Sequence, residues 1–401
     1  MSRPLRILID ARMLIGRFSG VARMVTKLVD GLARRDDCKV MALCGREPFE
    51  PWSRRDDIKL ISTGFNRRDR TPIRRLWWEE TKLSNVIRRS GADVFHATWN
   101  SGVPPFCRIP SVLTIHDLIP WDAATNSLTA RWQRSCYRRA VNASAKRAKL
   151  ITTVSQYVAG VVAAKFSVSR DRVVTIYNGV DTPSLSIDSG SGKKNAPFVL
   201  YVGGHEERKN VAGLFKAMTE YWKRLDPSLE LHLTGDANSL APNASDIFHK
   251  LPPSAPVRFL GTPSDAALAD EYSGASALLM LSRDEGFGLP VLEAMAHGCP
   301  VLAANRSALP EVVGNAGVLV DPADSKAIAE ELDRVLKSPE HGSDLIDNGR
   351  RRAQEFSWER TIELLLDSYR RAIGMTRRSA QFSNNALAEP PDPSPACVLG
   401  L

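Results

Sequence analysis

The sequence predicts an α/β protein made of two parallel-sheet domains. Three observations carry that expectation. The chain is 401 residues long, more than one hydrophobic core ordinarily serves and suited to two domains of roughly 150–200 residues each. Short apolar runs alternate with longer helical patterns, as strands do when helices cross between them over a sheet covered on both faces. A polar, glycine-rich interruption at residues 182–196 then breaks the rhythm, which restarts beyond it.

In the first half, residues 6–10, 39–43, 58–61, 93–96, 112–115, 150–153 and 173–176 read as strands, and 21–33, 73–89, 129–146 and 156–166 as helices. In the second half the strands are 198–202, 230–234, 257–260, 277–281, 301–304 and 318–320, with helices at 211–224, 265–272 and 291–297. Each half is Rossmann-like. A further helix is expected at 325–336, and an apolar-striped segment runs from Phe356 to Ile373. The expected boundaries are therefore 1–181 for the first domain, 182–196 for a linker, 197–355 for the second domain, 356–374 for a final helix and 375–401 for a tail. Prolines at 390, 391, 393 and 395 mark that tail as disordered.

An apolar content of 43% and a charged content of 25% are those of a globular chain. No apolar run approaches the ~20 residues that cross a bilayer, and the N-terminus enters a strand directly, without a secretory leader. Cys38, Cys44, Cys107, Cys136, Cys299 and Cys397 are scattered without metal-like pairing, which suggests reduced thiols and a cytoplasmic location. The net charge of +9 conceals an asymmetry. Residues 1–180 hold 32 Lys and Arg against 15 Asp and Glu, or +17, and the remainder holds 22 against 30, or −8. Charge runs often do no more than solvate a face. Here Arg67, Arg68, Arg70, Arg74 and Arg75 precede Trp77 and Trp78, while Arg131, Arg134, Arg138 and Arg139 surround Trp132 and Tyr137. Basic helices with aromatic residues suit an anionic lipid surface. A nucleic-acid partner is not expected, because no nucleic-acid-binding motif accompanies the patch.

The most informative stretch runs from Ser282 to Val301. An apolar run at 277–281 delivers the chain into a loop in which Gly286 and Gly288 flank Phe287, and a helix follows at once. Glu285 and Glu293 bracket that loop and the helix start, with seven residues between them. Pro290 suits a first helical turn, where its missing N–H would have no partner anyway, and Gly298 stops the helix. One carboxylate thus stands at the carboxyl end of a strand, the edge where ligands lie in open α/β sheets. The other lies about one turn into the next helix. Glycine loops between strand and helix are common, and geometry alone does not give this one a function. The whole run, however, resembles the donor-sugar motif of retaining, GT-B-fold glycosyltransferases of family four. That resemblance covers roughly residues 5–373. It implies two Rossmann-like domains facing across a deep cleft and a nucleotide-diphosphate-sugar donor. It further implies that Glu285 contacts the transferred sugar, that Glu293 holds the ribose, and that Gly286, Phe287, Gly288 and Leu289 approach the donor closely.

A second constellation, Tyr201 to Asn210, follows a buried strand and precedes an apolar-periodic helix that Asn210 is suited to cap. Adjacent Arg208 and Lys209 at a helix start form a site for a diphosphate, because side-chain charge and backbone N–H groups point the same way. An ordinary charged turn is the competing explanation, and the position after the first strand of the second domain argues against it. In the resembled family an Arg and a Lys grip the diphosphate here, often several residues apart rather than adjacent. Gly204 precedes them. In the first half, Ser19-Gly20-Val21-Ala22-Arg23 resembles the family's glycine turn, with Gly20 nearest the nucleotide sugar. His96 and His116 both end strands at carboxyl edges facing the expected cleft. A single His is more often a packed, hydrogen-bonded residue than a catalyst. Thr114-Ile115-His116-Asp117 matches a family pattern that gives His116 a contact with the sugar near the reaction centre. Ser155 and Asn178 to Asp181 also match family positions, although turn chemistry explains them equally well.

Fixed cations at a water-poor site stabilise the charge growing on a departing diphosphate, so Arg208 and Lys209 need no metal, and no Asp-x-Asp triplet is present to hold one. No cofactor is expected. The resemblance implies retention of anomeric configuration, and the pattern from Ile9-Asp10-Ala11-Arg12 through Arg208-Lys209-Asn210 is most similar to mannosyltransferases that use GDP-mannose. The expected acceptor is a lipid-linked or polysaccharide glycan, and the expected location peripheral, on the inner face of the cytoplasmic membrane. Alternatives remain: a UDP-sugar enzyme of the same fold, a nucleotide-sugar epimerase, or a scaffold that binds nucleotide or glycan without catalysis. A glycoside hydrolase would need two carboxyl groups flanking one bond, about 5–10 Å apart, and would leave the cation pair without a role. A dinucleotide oxidoreductase lacks its glycine fingerprint after the first strand.

Overall fold

The computed structural model describes residues 3–12, 14, 20–45, 49–64, 72–122, 127–183 and 197–374. Ser19, Arg67, Arg68, Arg70, most of the expected linker, the tail and Cys397 lie outside the described residues.

The chain divides into two compact units, one of Met1–Gly179 with Phe356–Arg377 and the other containing Val180–Glu355. In the first unit the order is β1 (Leu5–Asp10), α1 (Gly20–Ala33), β2 (Cys38–Cys44), β3 (Ile58–Ser62), α2 (Pro72–Thr81), α3 (Leu83–Ser90), β4 (Val94–Ala97), β5 (Ser111–Ile115), α4 (Ile119–Asp122), α5 (Leu128–Arg147), β6 (Leu150–Thr153), α6 (Gln156–Lys165) and β7 (Val173–Thr175). In the second it is β8 (Phe198–Tyr201), α7 (Val211–Arg224), β9 (Glu230–Leu233), α8 (Pro242–Phe248), β10 (Val257–Phe259), α9 (Asp265–Gly274), β11 (Ala277–Met280), α10 (Leu289–Ala296), β12 (Val301–Ala304), α11 (Leu309–Val313), β13 (Val318–Val320), α12 (Ser325–Lys337) and α13 (Pro339–Gln354). The last helix, α14 (Trp358–Ala372), returns to the first unit.

Both sheets are parallel throughout. The first runs β3-β2-β1-β4-β5-β6-β7 and the second β10-β9-β8-β11-β12-β13. Strands covered on both faces have no solvent side, so β4, β5, β8, β11 and β12 are buried along their whole length. In each sheet the chain proceeds outward in one direction from the first strand and in the other from the fourth. The loops after those two neighbours therefore diverge and leave a crevice at the carboxyl edge. That crevice lies between β1 and β4 in the first unit and between β8 and β11 in the second.

The helices cover the sheets through stripes spaced for a 3.6-residue turn. In α1 the buried residues are Ala22, Met24, Val25, Leu28, Val29 and Leu32. In α14 they include Ile362, Leu365, Leu366 and Tyr369, which share a core with α1 and β1. The two helices meet closely at Gly31, where a Cβ would lie 2.0 Å from Ile362 Cδ1. A side chain there would have to displace the end of Ile362.

The expected helix at 73–89 is two helices, α2 and α3, separated at Lys82. The Thr81 hydroxyl donates back to the Trp77 carbonyl at 2.6 Å, a bond that bends helices. The break lets Trp78 and Glu79 turn toward Arg12 while Leu83 and Ile87 enter the core. Four short or polar helices, α4, α8, α11 and α13, were not legible as periodic segments. The first half of α5 carries no buried residue, and its buried face is confined to Ala140, Val141, Ser144 and Ala145. Leu128 and Trp132, one turn apart at its free end, are 80% and 49% exposed. Among the described residues, no helix is long and apolar enough to cross a membrane.

Candidate functional site

The crevice of the second sheet is bordered by the loop from β8 to α7 and the loop from β11 to α10, and every sequence-predicted site residue of this unit except Glu293 and Leu289 is on one of them. After β8, Gly203 takes φ 159° and Gly204 leads into a 3-10 turn, Glu207–Lys209. A Cβ at Gly204 would come within 2.6 Å of the Glu206 carboxylate. Asn210 then adopts a left-handed conformation at φ 55° before α7 begins. It stands at the expected N-cap position, yet its side chain does not cap the helix. Its amide instead donates to the carbonyls of Leu281 and Pro322, at 3.1 Å each. The carbonyls of Leu281 and Pro322, past the ends of β11 and β13, need a donor, and a buried amide with two N–H groups serves both.

The second loop is tied to the first. Arg283 N–H donates to the Arg208 carbonyl at 2.8 Å, and the Glu285 N–H to the Ser307 hydroxyl at 2.9 Å. Phe287 is buried at 5% exposure and fixes the middle of the loop. Gly288 has φ 111° and would bring a Cβ within 2.8 Å of Leu309, so only glycine fits. α10 follows, with Pro290 in its first turn and Gly298, at φ 73°, just beyond its end.

These restraints bring Arg208, Lys209 and Glu285 together. Lys209 Nζ lies 2.5 Å from Glu285 Oε1, and the Arg208 guanidinium lies 3.6 Å from Oε2. Arg208 also donates to the Asp284 carbonyl at 3.2 Å. The side chains of Glu285, Lys209 and Arg208 are 9%, 12% and 30% exposed. The site is thus largely dry at the carboxylate and opens outward through the arginine. A fourth charge, Glu206, stands 4.0 Å from Arg208 with its side chain 63% exposed. Tyr201 underlies the loop, donating to the Gly204 carbonyl. Burial first, and then the nearby Glu285 and Glu206 charges, push its phenol far above the ordinary tyrosine range.

Glu293 belongs to the helix and is held differently. It is buried, and Oε2 accepts a hydrogen bond from Tyr272 at 2.7 Å. The Tyr272 ring stacks on His297 at 5.5 Å, and His297 Nδ1 lies 2.7 Å from the Glu293 carbonyl. Tyr272 was not singled out by the sequence, because its partner lies 21 residues away and no spacing rule links them. The same holds for Ser307.

In the first unit Gly20 is the exposed first residue of α1. His116 stands just past β5, with Nε2 2.8 Å from the Thr98 carbonyl and its own N–H donating to Asn100 at 2.8 Å. A carbonyl only accepts, so Nε2 carries the proton and Nδ1 the lone pair. Burial lowers the His116 pKa, against the opposing bond to Thr98, and keeps the ring neutral at pH 7. His96 is a packed core residue. Its ring nitrogens are 2.7 Å from the Thr114 hydroxyl and 2.8 Å from the Tyr369 hydroxyl, it has no exposed surface, and burial lowers its pKa to about 3. Ser155 caps α6 by accepting from the Val158 N–H at 3.1 Å, and Gly179 lies against the backbone of Trp358. Turn and packing chemistry account for both.

Sequence reading did not foresee the ion-pair cluster at the carboxyl edge of the first sheet. There the Arg12 guanidinium binds both Asp10 oxygens at 2.8 and 2.6 Å and Glu79 at 3.3 Å, and its centre lies 4.5 Å from the Trp78 ring. Arg75 joins Glu79 at 2.8 Å and Ser101 at 3.0 Å. Among the described residues, no group of three or more His, Cys, Asp or Glu side chains stands close enough to hold a metal ion.

With this geometry in hand, comparison with known proteins gives a consistent answer. The family model for glycosyl transferases group 1 matches residues 186–352, and that for glycosyltransferase family 4 matches residues 18–183. The chain is 31% identical over 303 residues to an MMP alpha-(1->4)-mannosyltransferase of Mycolicibacterium hassiacum, covering 71% of this chain and 72% of that protein. It is 29% identical over 243 residues to O-antigen chain mannosyltransferase B of Escherichia coli, covering 58% and 63%. In fold it is similar to Anabaena HepE solved in complex with UDP-glucose, with a TM-score of 0.68 at 19% identity over 91% of this chain and 99% of that one.

Proposed function

Because this chain belongs to the group 1, family-four glycosyltransferases, we propose that it transfers mannose from GDP-mannose, with retention and without a metal, to a lipid-linked or polysaccharide acceptor. The observation that carries this reading is the meeting of Arg208, Lys209 and Glu285 at the crevice of the second sheet. Two cations against one carboxylate leave positive charge for a ligand's diphosphate, at the edge where parallel sheets bind such ligands. The mannosyl choice is supported by similarity to the two mannosyltransferases, and the glycan acceptor by similarity to the second, an O-antigen chain enzyme.

In the proposed reaction an acceptor hydroxyl attacks the anomeric carbon on the face from which the diphosphate departs. The bond from that carbon to the acceptor oxygen forms as the bond to the phosphate oxygen breaks, and the hydroxyl proton passes to the departing phosphate. Arg208 and Lys209 stabilise the charge that develops there, as fixed cations do best in a water-poor site. Glu285 orients sugar hydroxyls, Glu293 accepts from the ribose, and backbone groups from Gly286 to Leu289, with Gly204, approach the phosphate and sugar. In the first unit, Gly20 takes the nucleotide-sugar side of the glycine turn. His116, neutral and with its lone pair on Nδ1, accepts from a sugar hydroxyl. The exposed start of α5, with Leu128, Arg131 and Trp132, supports peripheral attachment to an anionic membrane surface.

A thermal-shift panel tests the donor. A nucleotide that binds the folded chain raises its apparent melting temperature, so GDP should raise it more than UDP, ADP or CDP at equal concentration. A larger shift with UDP moves the donor to a UDP-sugar. No shift with any of them removes the nucleotide-sugar reading.

A further inference from the structure

We propose that Glu285 also serves as the built-in counter-ion of Arg208 and Lys209, which a ligand's diphosphate must displace. The site thereby favours an intact nucleotide sugar over a free nucleoside diphosphate. This inference rests on the donor-site reading above.

The cation pair is already satisfied from within the chain. Lys209 Nζ is 2.5 Å from one Glu285 oxygen and Arg208 is 3.6 Å from the other. An arriving diphosphate competes for the same two side chains and brings negative charge next to a carboxylate that is only 9% exposed. A buried charge stripped of its partners is strongly unfavourable. An intact donor compensates, because its sugar hydroxyls donate to the oxygens that Lys209 and Arg208 release. A free nucleoside diphosphate carries no sugar at that place and leaves the carboxylate stranded beside a polyanion. The ion pair therefore opposes the product and tolerates the substrate, which speeds release once the sugar has moved. Glu206 cannot do the same. Its side chain is 63% exposed and 4.0 Å from Arg208, so it swings into water at little cost.

Isothermal titration calorimetry on the full chain, with GDP, UDP, GDP-mannose and UDP-glucose as probes, tests the proposal. The nucleotide sugar should bind wild type at least about 10-fold tighter than its diphosphate, a coupling within the usual range between ligands. Glu285→Gln keeps the shape and removes the charge. It should tighten the diphosphate about 5–10-fold and bring the two affinities together. Glu206→Gln should change diphosphate affinity less than about 2-fold. Wild type supplies an arm that needs no variant: free mannose or glucose should tighten the diphosphate, because its hydroxyls occupy the stranded carboxylate. If Glu285→Gln leaves diphosphate affinity unchanged, or if free hexose has no effect on wild type, the counter-ion role is overturned and the donor site stands. Absence of binding by every probe overturns both.

Discussion

The two crevices of this molecule share one topology and differ in how deeply their charges are buried. Each lies between the first and fourth strands of a parallel sheet, and each gathers ionised side chains from the adjoining loops and helices. In the first unit Asp10 and Glu79 balance Arg12 and Arg75, and Asp10, Arg12 and Glu79 are 1%, 2% and 4% exposed. Although burial opposes the charge, Asp10 and Glu79 hold the Arg12 guanidinium above its ordinary pKa. In the second unit Arg208 and Lys209 face Glu285, with Glu206 reaching Arg208 only from solvent. The first cluster is closed by its own charges. The second has one of its two carboxylates, Glu206, largely in solvent and keeps access through Arg208. One topology thus yields two crevices whose charges differ in their access to solvent.

Breaking the closed cluster should have the largest effect. Arg12→Met strips buried Asp10 of its guanidinium and leaves Glu79 with Arg75 alone, and loss of one partner from a buried pair costs about 3–5 kcal/mol. The first unit should unfold at markedly lower urea concentration. A loss below about 1 kcal/mol would show that the cluster is solvated after all.

The open cluster should respond in the opposite manner. Arg208→Ala and Glu285→Ala each should reduce transfer at least ~10²-fold, the scale for one preorganised electrostatic contact, with urea stability near wild type. Near-normal turnover with nucleotide sugar in either variant would contradict the site assignment.

Acid sharpens the contrast between the units. His96 is held neutral in the fold with a pKa of about 3, whereas an unfolded chain protonates histidine near 6.5. Stability is therefore full above about pH 6.5 and falls as pH drops toward 3, by about 1.4 kcal/mol per pH unit from this group. His116, lowered by burial, acts in the same direction. His96→Gln should flatten the pH dependence of first-unit unfolding between about pH 4 and 6.5. An unchanged slope would mean that the ring is not buried neutral.

The smallest effect concerns the surface. Binding to liposomes should need anionic lipid, with about 1 kcal/mol per cation near the surface, and should weaken with salt. Trp132→Ser with Leu128→Ser should reduce flotation without changing turnover on a soluble acceptor. Equal flotation by wild type and variant would place any membrane contact elsewhere.

Much of the second-unit site was legible because it is local. The two glutamates, the glycines and Pro290 lie close together along the chain, and backbone geometry forces their order through loop and helix. Arg208 and Lys209 were legible as a charged turn at a helix start, although their engagement of Glu285, 76 residues from Lys209, was not. Asn210 shows the limit. Its type and place suited a helix cap, and the needs of two distant carbonyls took it instead. The break at Lys82 escaped the pattern because the residues on both sides keep a helical period.

By itself the sequence determined the α/β class, the two sheets and the chemical identity of the loops at the second crevice, since these follow from periodicity, glycine placement and short spacings. Only the tertiary structure decided which charges are satisfied. Whether an arginine meets carboxylates that close it off or shares one with a neighbouring lysine at an open edge depends on partners 67 and 77 positions away. No local pattern encodes such a distance, because it arises only when the strands have paired and the loops have been brought to the same edge.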